Sequence, residues 1–253
     1  MKNSVLFIII GLLVASILSF SCAKPPPQEI TVATSASYPP FTYIDEQTGK
    51  LVGFDIDLMN AIAAFKNLNV QFVEVDFQSL MEGMAQGEYD AAIDALPITE
   101  ERKKDMLFTD AYFITGQVVT VSKDNTTITG RDDLTGKVVG VEAASTGAAT
   151  VSKIQGVTVK DYTDLPAAFN DVMNGTIDAV VCDKPVAFYY VEKYPDKLKI
   201  VGERFTTEYY GIAVNKNNPE LLEKISDGLS VVTQAGLIRQ LSSKWLHIEP
   251  TAW

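Results

Sequence analysis

Histidine is almost missing from this chain: the single one is His247, close to the C-terminus. That removes Ser–His–Asp and Cys–His nucleophilic catalysis and multi-histidine metal centres, so no catalytic or metal site is expected. Cysteine occurs twice, as Cys22 and Cys182, too few for a disulfide framework. Basic residues number 21 against 32 acidic ones, for a net charge of -11. Such a surface repels phosphate backbones, so nucleic acid is excluded as the expected partner. No Gly-rich phosphate loop of the GxxxxGKS/T kind occurs, and no cofactor is expected. What remains has ordinary globular proportions, with 47% hydrophobic and 21% charged residues over 253 positions.

The start of the chain stands apart. Between Lys2 and Lys24 there is no charged side chain, and residues 5–20 are an almost continuous apolar run. One Lys, an apolar stretch and small residues around a Cys predict an export signal over residues 1–21. Leu18-Ser19-Phe20-Ser21 before Cys22 resembles the lipobox of exported lipoproteins, which makes Cys22 the candidate lipidated residue. An uncleaved membrane anchor is the alternative. Either way the functional body lies outside the cytoplasmic membrane. Residues 22–28 include Pro25-Pro26-Pro27, a semi-rigid spacer.

From Glu29 onward, strand-like and helix-like segments alternate. Strands are predicted at 30–34, 70–75, 91–93, 137–141, 158–162, 179–181 and 210–214. Helices are predicted at 55–65, at 79–86 (closed by Gly87) and at 220–232. This alternation predicts an α/β sheet protein. An internal echo divides the body: Gly87, Asp90, Ala91 and Pro97 recur at equal spacing as Gly175, Asp178, Ala179 and Pro185. Two such units suggest two similar lobes, with the segment after each repeated strand at the strand's carboxyl end, where ligands bind in open α/β sheets.

The residues at those ends carry chemistry. The first copy runs Asp94-Ala95-Leu96-Pro97-Ile98-Thr99-Glu100-Glu101-Arg102. Thr99 is a candidate N-cap, and the Arg102 fork suits a carboxylate. The second copy ends in Asp183, a candidate acceptor for an ammonium group. Between them Glu142 leads to Ser145-Thr146-Gly147, where helix N–H groups and hydroxyls suit an anion. Arginine, helix N–H groups and an opposed aspartate together suit a zwitterion, and the natural zwitterion is an α-amino acid. Taken singly, Arg102 reads as an ion-pair member, Asp183 as a turn residue, Tyr38 and Phe54 as core, Cys182 as a small buried residue and Trp245 as packing.

Five motifs in order carry a family resemblance: Ser37-Tyr38-Pro39-Pro40-Phe41, then residues 51–58 (LVGFDIDL), Ile98-Thr99-Glu100-Glu101-Arg102, residues 178–185 (DAVVCDKP) and Lys244-Trp245. From about Ile30 to Pro250 the chain resembles the polar-amino-acid family of solute-binding proteins, the capture components of ABC importers. The resemblance implies a type II periplasmic-binding-protein fold. Each lobe is a mixed sheet flanked by helices, and two crossover hinge strands join them near 116–119 and 205–208. Lobe 1 takes 29–116 and 207–253, and lobe 2 takes 117–206. It further implies a monomer that closes over an amino acid and presents it to ABC permease subunits in the membrane.

By position, the resemblance makes Arg102 the grip on the ligand α-carboxylate, assisted by Ser145 and Thr146, and Asp183 the ammonium acceptor. Tyr38 and Phe54 become the aromatic pair around the ligand side chain. Ala95 and Pro97 lie on a segment offering backbone groups, with Pro97 replacing a common Ser or Thr, and Ala144 replaces a frequent Gly. Asp94 and Glu142 fall near the ligand side chain and predict a cationic ligand, arginine or lysine, because a buried carboxylate needs a partner. Pairing of either with a protein Lys, or exposure to water at the cleft rim, is the competing reading. A cyclohexadienyl- or arogenate-dehydratase-like enzyme on the same scaffold, and a ligand-sensing module, are the rival functions.

Overall fold

The computed structural model describes residues 26–246; the export segment, Cys22 and His247 lie outside them. The chain enters β1 (Gln28–Thr34), then a small antiparallel sheet of β2 (Ser37–Tyr38), β3 (Thr42–Ile44) and β4 (Leu51–Val52). In α1 (Phe54–Lys66), Ile56, Met59 and Ile62 share a buried face, Asp55 and Asp57 occupy the first turn, and Asn67 closes the helix in the left-handed conformation. After β5 (Leu68–Glu74), Asp76 caps α2 (Phe77–Gln86) by accepting from the Ser79 N–H, and Gly87 ends it at φ 77°. β6 (Ala91–Ala92), a 3-10 turn at Arg102–Lys104, β7 (Met106–Phe108) and β8 (Phe113–Thr115) follow.

The second half holds β9 (Gln117–Ser122), β10 (Val138–Glu142), α3 (Thr146–Val151), β11 (Thr158–Tyr162), α4 (Leu165–Met173), β12 (Ala179–Asp183), α5 (Lys184–Lys193) and β13 (Leu198–Val201). The chain then returns through β14 (Glu208–Tyr210) and β15 (Ala213–Asn215) to α6 (Pro219–Gln234) and α7 (Leu237–Trp245), which pack on α1.

The first sheet has the order β5-β1-β6-β15-β7 and the second β11-β10-β12-β9-β13. In each, two parallel pairings are followed by two antiparallel ones. The two lobes therefore share one strand plan, as the internal echo implied, and the repeated residues do equivalent work in both. Gly87 and Gly175 take φ 77° and 73°. Asp90 accepts from the Thr31 N–H in β1 at 2.8 Å, and Asp178 accepts from the Val138 N–H in β10 at 2.8 Å. β6 and β12 are the central strands; all five residues of β12 are buried, so it reads as an unbroken apolar run ending in Asp183.

β8 and β14 pair as an antiparallel ribbon between the sheets. At Gly116 a Cβ would lie 2.0 Å from the Thr206 carbonyl oxygen, so a side chain there would push the crossovers apart. Gln117 to Val119, expected within a crossover, already pair inside the second sheet. Residues 210–214, expected as one strand, divide between the ribbon and β15. The break is fixed locally: the Gly211 N–H donates to the Leu96 carbonyl at 3.0 Å, and the Ile212 N–H to Thr109 Oγ1 at 3.1 Å.

Candidate ligand site

The carboxyl ends of β1, β6, β10 and β12 converge on a small cavity of about 20 Å³. Tyr38, Asp94, Ala95, Pro97 and Arg102 line it from the first lobe; Glu142, Ser145, Thr146 and Asp183 line it from the second. A second, open groove of about 820 Å³ is lined by Tyr43, Tyr189 and Trp245 among others. None of its charged residues is buried, so the convergent chemistry lies in the small cavity.

Three alanines near those strand ends, Ala36, Ala95 and Ala144, hold left-handed φ values of 56°, 48° and 60°. An L-residue adopts this region at a cost, so the surroundings must impose it. The φ of Ala144 accounts for the glycine that the family resemblance led one to expect there. Ala95 is tied down by its N–H, which donates to Asp55 Oδ2 at 2.6 Å, and Tyr112 donates its hydroxyl to Asp55 Oδ1 at 2.8 Å. Burial pushes the Asp55 carboxyl up to about 8 against the pull of these two bonds.

Arg102 is 7% exposed. Its Nη1 donates to the Pro97 carbonyl at 3.0 Å, and the guanidinium lies 5.5 Å from the Phe77 ring centroid. Thr99 Oγ1 accepts from the Arg102 N–H at 3.2 Å, so the expected cap closes a short 3-10 turn rather than a helix. Burial pulls the guanidinium below its ordinary value, opposed by the carboxylates of Glu208 and Asp183. Among the described residues no carboxylate makes an ion pair with it.

Asp183 ends β12 and precedes α5, yet its side chain makes no cap bond to that helix. It accepts instead from the Tyr38 hydroxyl at 2.7 Å and from Gln117 Nε2 at 3.1 Å. Burial, then the neighbouring Glu208, push it up to about 7. Gln117 Nε2 also reaches Glu208 Oε1 at 3.1 Å, and Thr146 donates to Glu208 Oε2 at 2.9 Å. Ser145 Oγ caps α3 by accepting from the Ala148 N–H at 3.0 Å.

The remaining carboxyls are less satisfied. Asp94 Oδ1 accepts from the Ser35 N–H and hydroxyl, each at 3.0 Å, and from Thr34 Oγ1 at 3.2 Å, whereas Oδ2 has no partner. Burial pushes Asp94 up to about 6. Glu142 Oε1 is also buried without a partner. Burial, then the Asp94 and Asp183 carboxylates, push Glu142 well above its usual range. Among the described residues neither pairs with a Lys.

Phe54 requires correction. It is fully buried within a cluster of Phe41, Tyr112 and Phe113 and does not line the cavity. Its N–H donates to the Pro40 carbonyl at 3.0 Å, which turns the start of α1 into the core. The cavity's second aromatic is Phe77, the first residue of α2 after β5. The ligand role of Phe54 came from the family resemblance, whereas taken singly Phe54 read as core, which is where it lies; Phe77 stands just beyond β5, which runs parallel to β1. Gln117 and Glu208 were also missed. Both flank the crossovers, where hydrophobic periodicity carries no information on side-chain direction.

The raised carboxyls have a consequence for stability. Relative to the unfolded chain, folding favours protonated Asp55, Asp94, Asp183 and Glu142. Their contribution is complete below the ordinary carboxylate value of about 4 and is lost as pH rises through about 6, 7 and 8. Surface aspartates such as Asp45 and Asp76 are held low by hydrogen bonds and titrate below that window. The ligand-free protein is expected to melt at a lower temperature at pH 8 than at pH 5. A melting temperature equal or higher at pH 8 would contradict the placement of these groups.

Comparison with known proteins finds relatives over most of the chain. The profile of the family described as bacterial extracellular solute-binding proteins, family 3, matches residues 30–248. The L-cystine-binding protein TcyJ of Escherichia coli (strain K12) is 31% identical over 224 residues, covering 88% of this chain and 84% of that protein. The arginine-binding periplasmic protein of Mannheimia haemolytica is 32% identical over 235 residues, covering 90% and 96%. Among solved structures, an ancestral arginine-binding protein bound to arginine matches with a TM-score of 0.82 at 44% identity, over 86% of this chain and 97% of the other.

Proposed function

This chain belongs to the bacterial extracellular solute-binding proteins of family 3, and we propose that it captures a cationic L-α-amino acid, arginine or lysine, and delivers it to an ABC-type permease. The observation that carries the reading is the burial of Arg102 and Asp183 in one cavity together with two carboxylate oxygens, on Asp94 and Glu142, that lack partners. Arg102 would hold the α-carboxylate and Asp183 the α-ammonium. Glu142 and Asp94 would meet the side-chain cation, and Tyr38 and Phe77 its stem. A cavity of about 20 Å³ has no room for an amino acid, so entry requires the lobes to part about the β8–β14 ribbon.

Lobe 1 takes 29–116 and 207–253, lobe 2 takes 117–206, residues 1–21 are an export signal, and the protein acts as a monomer. Named relatives are binding proteins for arginine and for cystine, which supports capture over catalysis. A thermal-shift screen over the twenty amino acids tests the reading. Arginine or lysine at 100-fold its dissociation constant adds about 2.7 kcal/mol to stability. A response confined to acidic or apolar amino acids would refute it, and turnover of prephenate or arogenate would favour the dehydratase-like enzyme.

Cys22 is the lipid anchor in this account. Wild-type protein is expected in the membrane fraction, and Cys22→Ser is expected to release it or block its maturation. Soluble wild-type protein with its N-terminus beyond residue 22 would end the anchor assignment.

A further inference from the structure

Asp94 and Glu142 approach the cavity from opposite sheets, Asp94 just beyond β6 and Glu142 at the end of β10. Each brings a buried oxygen with no hydrogen-bond partner. Asp94 is anchored through its other oxygen to Ser35, so it cannot swing away to find water without breaking those bonds. The groups facing the pair are Arg102 from the 3-10 turn, Asp183 and Cys182 from β12, Asp164 before α4, Tyr38 from β2, and Asp55 and Tyr112 behind Ala95. Arg102 is the one cation in that set, and its Nη1 is committed to the Pro97 carbonyl. Asp55, Asp183 and Glu208 are buried as well, so five buried carboxyl groups, Asp94 and Glu142 included, stand near one guanidinium. Unpaired charges of one sign are not tolerated out of water, and the Asp94 and Glu142 carboxyls are favoured in their protonated form.

We infer that the empty protein rests in this closed arrangement with Asp94 and Glu142 together holding a proton, that the lobes part only transiently for entry, and that the side-chain cation of a basic amino acid displaces the proton on binding. This rests on the proposed capture of a cationic amino acid. The exchange is balanced: one carboxyl O–H bond breaks, its proton passes to solvent, and the carboxylate left behind faces the ligand cation. Recognition then becomes a comparison between a proton and a ligand charge. A neutral amino acid of the same shape must either leave the proton in place or expose two carboxylates to one another. The burial-driven rise of both carboxyls is in keeping with this.

The test is calorimetry on the full chain between pH 6 and 7, in two buffers of different ionisation enthalpy, with L-arginine and with L-citrulline. Citrulline replaces the guanidinium by a neutral urea group of nearly the same shape. Both ligands bring an α-ammonium to Asp183, so any proton released there is common to both, and the difference isolates the pair. Arginine is expected to release up to about one proton more than citrulline, and its affinity relative to citrulline to rise by up to about tenfold per pH unit. In Glu142→Gln both differences should shrink toward zero. Arginine binding with the same proton count as citrulline overturns the inference and leaves the capture role intact. Absence of any arginine or lysine binding overturns both.

Discussion

The Arg102→Ala and Asp183→Ala proteins are each expected to bind L-arginine about 30- to 5000-fold more weakly than wild type. That is the ~2–5 kcal/mol lost when one partner of a buried charge pair is removed. Arg102 is 7% exposed and held by the Pro97 carbonyl and the Phe77 ring, so its fork is set before a ligand arrives. Truncation leaves a ligand carboxylate buried without a counter-charge. Asp183 is 2% exposed, and its present donors are Tyr38 and Gln117, both neutral. An α-ammonium offers it a charged donor, and such bonds are stronger than neutral ones. Folding should survive both changes. Gln117 retains Glu208 and Thr146 as partners, and removing a buried carboxyl also removes its desolvation cost. Titration calorimetry beside thermal melts checks this: unchanged affinity in either variant, with a normal melt, would displace the clamp from these residues.

Glu142→Gln is the second large effect. Arginine affinity is expected to fall by about 1.5–3 kcal/mol, the range for hydrogen bonds to charged groups, or roughly 10- to 150-fold. Glutamine binding should hardly change, because the amide keeps the shape of the wall and loses only the charge. Glu142 has a buried oxygen without a partner and no ion pair among the described residues, so the substitution breaks no existing ion pair. Its effect on the empty protein should be small, or stabilising near pH 8. Parallel calorimetric titrations with arginine and glutamine decide it, and equal losses for the two ligands would place Glu142 away from the side-chain cation.

Most of the architecture was written in features that local physics can read. The α1 face, the Gly87 cap and the apolar run of β12 follow from periodicity and terminal chemistry, whereas the Asp76 cap starts α2 two residues before the expected helix. The internal echo did more, because Asp90 and Asp178 make the same bond to the start of a neighbouring strand in the two sheets. Arg102, Asp183, Glu142 and Asp94 were findable as charged residues just past strand ends. Illegible features were those set by tertiary approach. Phe54 and Phe77 each open a helix, and only the direction in which the helix enters decides which ring meets the core. Gln117 and Glu208 depend on how closely the crossovers pass at Gly116, a distance no local pattern encodes. The split at Gly211 likewise comes from bonds to Leu96 and Thr109, far away in sequence.

The central claim is that one buried site reads both the α-carboxylate and the charge of a basic amino acid. A titration of wild-type protein with L-arginine and with agmatine, which keeps the guanidinium and lacks the carboxylate, tests it most directly. The account predicts saturable binding of arginine at one site per chain, with agmatine weaker by at least about 30-fold, the lower bound for losing a buried charge partner. Agmatine binding as tightly as arginine, or silence toward both beside tight binding of glutamate, would contradict it.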